Sequence, residues 1–145
     1  RAAGLANVRF AGFVPDDRLV ELLATGDIHV VPLRRGLGAV SVPSKTYSIL
    51  AAGRPLVASV DRGSEVDRVV EASGSGVAVP PEDAEALTKA LRALLDAPDE
   101  RARMGAAGRA FVETWASPAA VAAAYEELFV ELASHETNGG NVQPT

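Results

Sequence analysis

Short apolar runs alternate with longer amphipathic stretches from Val8 to Asp96: VRFAGF, DDRLVELLATG, IHVVPL, SKTYSILAAG, PLVASV, SEVDRVVEASG, GVAVP and DAEALTKALRALLD. The order reads β-α-β-α-β-α-β-α. Strands separated by single helices cannot close as hairpins, so they pair in parallel. Near-continuous apolar runs such as IHVVPL fit strands covered on both faces. The expected fold class is therefore α/β, a Rossmann-like parallel sheet with flanking helices. Boundary signals agree with it. Asp16 follows Pro15 as a helix cap, Gly53 ends the helix before Pro55, and Gly74 and Gly76 close the next one.

After Asp96 the pattern is helical alone, with Pro98 and Pro118 marking two starts. The bulky residues of this part, Met104, Phe111, Trp115, Tyr125, Leu128, Phe129 and Leu132, recur at helical spacing and are expected to pack in a core, the alternative being a cofactor-stacking box. The polar segment HETNGGNVQPT has no periodicity and reads as a disordered tail. The expected organisation is one domain over residues 1–134 and a tail over 135–145. A chain of 145 residues with 48% hydrophobic content is long enough to bury a real core.

Charge and composition exclude several function classes. The formal charge of −5, with both signs interspersed along helices, does not make the basic surface that nucleic acid requires. With no cysteine there is no disulfide or thiolate metal site, and His29 and His135 are too far apart in sequence for a local metal motif. No apolar run approaches the roughly 20 residues that span a bilayer. No secretion signal is visible, and the expected location is cytoplasmic.

In an open parallel sheet, ligands bind at the carboxyl ends of strands, where loops lead into helix N-termini. The loop RRGLGAVSVPSK combines Arg34 and Arg35 with Gly36 and Gly38, and leads to Ser44, Lys45 and Thr46. Glycines let backbone approach a ligand, and a helix start offers free N–H groups to an anion. Two readings stay open: a diphosphate cradle, or a Ser44 helix cap beside a solvated Lys45. The spacing is not that of a Walker A loop. The second loop, DRGSEVD, places Glu65 and Asp67 at a helix start, either as dipole-favoured first-turn acids or as sugar or ribose ligands. In the third, VPPEDAEAL, Asp83 reads as a cap. His29 has no paired Ser or Asp and reads as a satisfied strand residue.

Taken together, NVRFAGFVPDDRLVELLATGDIHVVPL and VPSKTYSILAAGRPLVASVDRGSEVDRVVEASGSGVAVPPEDAEAL resemble the C-terminal, donor-binding domain of retaining GT-B glycosyltransferases of the glycosyltransferase 4 type. The segments PSK, AAGRPLVAS and GVAVPPED are specific in combination, and the resemblance runs from about Asn7 to about Ser134. It implies a nucleotide-diphosphate-sugar donor, no separate cofactor, and an unknown acceptor. Arg34, Arg35, Gly38, Ser44, Lys45 and Thr46 would hold the diphosphate, and Phe13 and Val14 would lie near the base. Two family glutamates fall at Val40 and Ser48, so Ser48 and Glu65 are left as the ribose and sugar ligands. The resemblance also implies a partial domain, with the acceptor domain and early donor-domain strands missing and the fragment alone inactive. An open sheet edge then predicts self-association or swapping. The full-length protein would be cytoplasmic or membrane-peripheral. The alternatives are a noncatalytic α/β module that binds nucleotide sugar or protein, and a nucleotide-sugar epimerase.

Overall fold

The computed structural model describes residues 4–138. Its elements are a 3-10 turn, Asp16–Arg18, running into α1, Leu19–Thr25, followed by β1, His29–Pro32, and α2, Lys45–Ala51. Next come β2, Leu56–Ser59, α3, Glu65–Ser73, β3, Gly76–Val79, and α4, Ala84–Leu95. The chain continues with α5, Pro98–Phe111, a single π-helical turn, Val112–Ala116, and α6, Pro118–Asn138.

The strands form one parallel sheet in the order β1-β2-β3, with His29 opposite Leu56 and Leu56 opposite Gly76. The Rossmann-like layering read from the alternation is present. Central β2 is buried at every position, and its alternation divides the core. Leu56, Ala58 and Val60 pack with Leu23, Ile49, Leu50, Val66, Val69 and Val70, on the side of α1, α2 and α3. Val57 faces the other way, against Leu94 of α4 and Met104 of α5.

Several expectations are corrected. VRFAGF is not a strand: it meets no partner whose backbone could satisfy its own, and Phe10 and Phe13 stand exposed. IHVVPL is covered fully on one face and in part on the other: Val31 is buried in the core on the side of α2 and Ile28 packs against Val57, Leu94 and Met104, but α4 packs on β2 and β3 and leaves Val30 of β1 exposed. Asp16 makes no capping bond, since the turn begins there with Pro15 as its cap residue. Gly74, at φ 61°, does end α3, but Gly76 belongs to β3. Gly53, at φ 66°, ends α2 as read: its N–H donates to Leu50 O and that of Arg54 to Ile49 O.

Of the bulky C-terminal residues, Met104 is buried and Phe111 half-buried, whereas Trp115 is 70% and Phe129 63% exposed. Tyr125, Leu128 and Leu132 are exposed too. The reason is geometric. Among the described residues α6 packs mainly on the π-helical turn, so its side chains have nothing to bury against. Tyr125 and Phe129 meet each other one turn apart, with centroids 6.1 Å apart. The α6 backbone runs to Asn138, into the segment read as a tail, and residues 139–145 lie outside the described part.

Candidate functional site

Three loops leave the carboxyl ends of the strands. The loop after β1 is folded on itself, with Leu37 N–H donating to Arg34 O and the N–H groups of Val40 and Ser41 to Leu37 O. Gly36 takes φ 82°, which a side chain disfavours. This loop is tied to the next one by Asp61, whose Oδ2 accepts from Gly36 N–H at 2.7 Å and Gly38 N–H at 3.2 Å. Gly38 is buried there, and a Cβ on it would stand 2.7 Å from the Ser64 Cβ.

Between the two loops opens a cleft of about 730 Å³, lined by Gly36, Gly38, Ala39, Val42, Asp61, Arg62, Gly63, Ser64, Glu65 and Arg68. Its floor is the start of α3. Ser64 Oγ accepts from Asp67 N–H, and Asp67 Oδ2 accepts from Gly63 N–H, so Asp67 serves the helix start. Glu65 Oε2 pairs with Arg68 Nη2 at 2.9 Å, and Arg68 Nη1 donates to Gly63 O. Burial, and next the Glu65 charge, push the Tyr47 phenol above its ordinary value.

The structure thus gathers Gly38 and Glu65 at one cleft and sends other candidates elsewhere. Arg35 Nη2 donates to Pro81 O, and its Nε lies 3.7 Å from Glu82 Oε2, joining the first loop to the third. Glu82 holds φ 64°, a conformation costly for a side chain. Arg34 lines a separate hollow with Glu82, Asp83 and Leu87. Ser44 and Lys45 are exposed at the start of α2, outside the cleft lining, and Ser48 is half-buried on that helix. Ser44 makes no side-chain cap because its backbone is already helical, with ψ −28°, and Pro43 O takes the Thr46 N–H. Phe13, 90% exposed, and Val14 lie in the irregular segment before α1, away from the cleft lining. Asp83 caps α4 as read, accepting from Ala86 N–H at 2.9 Å, and the His29 ring contacts Leu23 O at 2.8 Å.

Thr46 departs furthest from its expected place. Its side chain is 1% exposed, and its hydroxyl finds no hydrogen-bond partner among the described residues. A buried unpaired hydroxyl costs about 1–3 kcal/mol. Thr46→Val, which keeps the shape and removes the hydroxyl, is expected to raise stability by about 1 kcal/mol, roughly 3 °C in a thermal melt. A fall in melting temperature would show that the hydroxyl has a partner.

Asp61, Arg62 and Arg68 were not singled out from the sequence. A usable signal exists for the first two: they follow the one strand buried at every position, at its carboxyl end, where ligands bind. Among the described residues no group of three His, Cys, Asp or Glu side chains could hold a metal, and no helix is long and apolar enough to cross a membrane.

Comparison with known proteins bears on the family and the fold. The chain is 34% identical over 86 residues to the probable glycosyltransferase WbjE of Pseudomonas aeruginosa, covering 59% of this chain and 22% of that protein. It is 36% identical over 110 residues to the GDP-mannose-dependent monoacylated alpha-(1-6)-phosphatidylinositol monomannoside mannosyltransferase of Corynebacterium glutamicum, covering 74% and 28%. Sucrose-phosphate synthase from Thermosynechococcus elongatus superposes with a TM-score of 0.71 at 24% identity over 88% of this chain and 30% of that one, which shows a shared fold. The chain spans less than a third of the length of these proteins. The family described as Glycosyl transferases group 1 matches residues 1–97, and the chain belongs to that family of GT-B glycosyltransferases.

Proposed function

We propose that this chain provides the nucleotide-sugar donor site of a retaining glycosyltransferase, with the donor's diphosphate at the cleft between the loops after β1 and β2. The observation that supports this most is that the Gly36 and Gly38 amides already hold an oxyanion, the Asp61 carboxylate. A pair of amides that holds a carboxylate can hold a phosphate oxygen. Glu65 would take sugar hydroxyls from the cleft wall, whereas Arg34, Arg35, Ser44 and Lys45, which lie outside the cleft lining, would have to move in to surround the diphosphate, as would Ser48 to reach the ribose and Phe13 and Val14 to approach the base. Thr46 would contribute through the position of the helix start, since its hydroxyl is buried. The chemistry asked of these residues is positioning of the donor and stabilisation of charge on the leaving diphosphate. The GDP-mannose dependence in the name of the Corynebacterium relative favours a guanine nucleotide as the first donor to try. An acceptor would be the second substrate, and the site would face the cytoplasm.

A thermal-shift panel of UDP, GDP, ADP, TDP and their sugar conjugates tests the reading. A ligand at 100 times its Kd stabilises by about 2.7 kcal/mol, a rise of roughly 5–10 °C for a chain of this size. One base is expected to give this shift, and Lys45→Ala to remove most of it. Glu65→Gln is expected to weaken the sugar conjugates while leaving the bare diphosphates unchanged. If no member of the panel moves the melting temperature, the donor-site reading falls. A second reading, a module that binds nucleotide sugar without transferring it, is favoured by Val40, an apolar side chain 80% exposed where the family carries a glutamate. It predicts the same shifts with no turnover in any longer chain that keeps Val40.

A further inference from the structure

The seat offered to the diphosphate is already taken, and this carries an inference that rests on the donor-site reading. Gly36 N–H and Gly38 N–H converge on one oxygen, Asp61 Oδ2, at 2.7 and 3.2 Å. The donors belong to the loop after β1 and the acceptor to the loop after β2, so the contact does not follow from local turn geometry. We propose that Asp61 is an internal placeholder: its carboxylate fills the amide pair in the ligand-free protein, and a diphosphate oxygen displaces it on binding.

Charge, access and space all support a displacement. Two anions cannot share the same pair of N–H donors, because each would lose its hydrogen bonds and repel the other. Gly36 is exposed and Asp61 half-buried on the cleft wall, so a ligand reaches the pair from solvent. Asp61 also lines the adjoining groove of about 680 Å³ beside β3, whose wall includes Arg35 and Arg62, which gives the departing carboxylate guanidinium partners. A Cβ on Gly38 would fall 3.2 Å from the Asp61 Cβ, so glycine is what lets the loop close down on this carboxylate.

A competing occupant lowers apparent affinity by the fraction of molecules in which it holds the seat. Removing it therefore tightens binding. Asp61→Ala is expected to bind inorganic pyrophosphate and the selected nucleoside diphosphate about tenfold more tightly than the wild type in a calorimetric titration, and Asp61→Asn, whose neutral amide oxygen still accepts from the pair but more weakly, about threefold more tightly. Before ligand is added, the Gly36 and Gly38 amides of Asp61→Ala should exchange with solvent faster than in the wild type, and ligand should restore their protection. Glu71→Gln, which removes an exposed carboxylate from the same groove without touching the amide pair, should change affinity less than about twofold, because exposed charges are screened. The Asn variant keeps the side-chain shape and carries the test if the Ala variant does not fold. Equal or weaker binding by the Asp61 variants, beside a wild type that binds, overturns the placeholder and leaves the donor site standing. So does a tenfold gain in Glu71→Gln, which would make the effect one of general charge. No binding by any variant or by the wild type overturns both.

Discussion

Gly76→Ala is expected to cost about 3 kcal/mol or more, a large part of the roughly 5–15 kcal/mol that holds a domain together. Gly76 opens β3 opposite Leu56 of β2, and a Cβ added to it would lie 1.9 Å from Leu56 O and 2.9 Å from its carbonyl carbon. Both atoms are backbone, so no rotamer change relieves the clash. Nor can β2 retreat: Leu56 is wholly buried, and β2 is paired on both edges and packed on both faces. The strand that must move is β3, and its movement strains the bonds that close the pair at its two ends, Leu56 N–H to Ser75 O and Val60 N–H to Val79 O. In a thermal melt followed by circular dichroism the expected fall is roughly 10 °C. Gly63→Ala separates this cause from the general loss of a glycine. Gly63 sits at φ 76° with nothing within 4 Å of its added Cβ, so it should cost only the left-handed strain of about 1 kcal/mol. Equal effects at the two sites would mean that the close approach of β3 to β2 is not what demands glycine.

What could be read from the residues alone divides along the same line between local and distant causes. Gly53 ending α2, Asp83 capping α4 and Pro98 opening α5 were legible because each answers to backbone groups within a few positions. The parallel sheet was legible because helices between strands leave no other pairing. VRFAGF has strand composition, yet a strand is a relation to a neighbour, and none lies beside it. The aromatics of α6 have helical spacing, which fixes a shared face without saying that anything covers it.

The site was legible in its loops and illegible in its contacts. Sequence placed Gly36, Gly38 and Glu65 at the carboxyl edge, and the fold brings them to one cleft. It could not show that Asp61 would reach across to both glycine amides, because the partners are separated by a helix and a strand. Nor could it show that Thr46 turns inward: the hydroxyl looks like a ligand in the sequence, and only the packing of α2 on the core reveals its burial. Arg35 is the intermediate case, at the predicted edge but engaged with Pro81 and Glu82 of the third loop.

Gly105→Ala sets helix propensity against packing, and packing is expected to win. In a free helix alanine is favoured over glycine by about 1 kcal/mol, so a peptide spanning Pro98–Phe111 should become more helical on substitution. In the folded chain the sign reverses. A Cβ on Gly105 would stand 2.2 Å from Gly53 O and 2.9 Å from its carbonyl carbon, again backbone atoms. Gly53 cannot yield, because its left-handed turn closes α2 and leads through buried Pro55 into β2. One turn on, a Cβ on Gly108 would meet the Ser75 Cβ at 2.8 Å and Leu50 Cγ at 3.0 Å, so α5 approaches the body through two glycines on one face. The substitution therefore pushes α5 off α2, with an expected loss of about 3 kcal/mol and early exchange of the α5 amides. Ala106→Gly, at an exposed position of the same helix, should cost only the propensity of about 1 kcal/mol. If Gly105→Ala instead stabilised the protein as it does the peptide, α5 would not be docked through its glycines. The bulky residues that dominate the C-terminal sequence would then have to hold it in place.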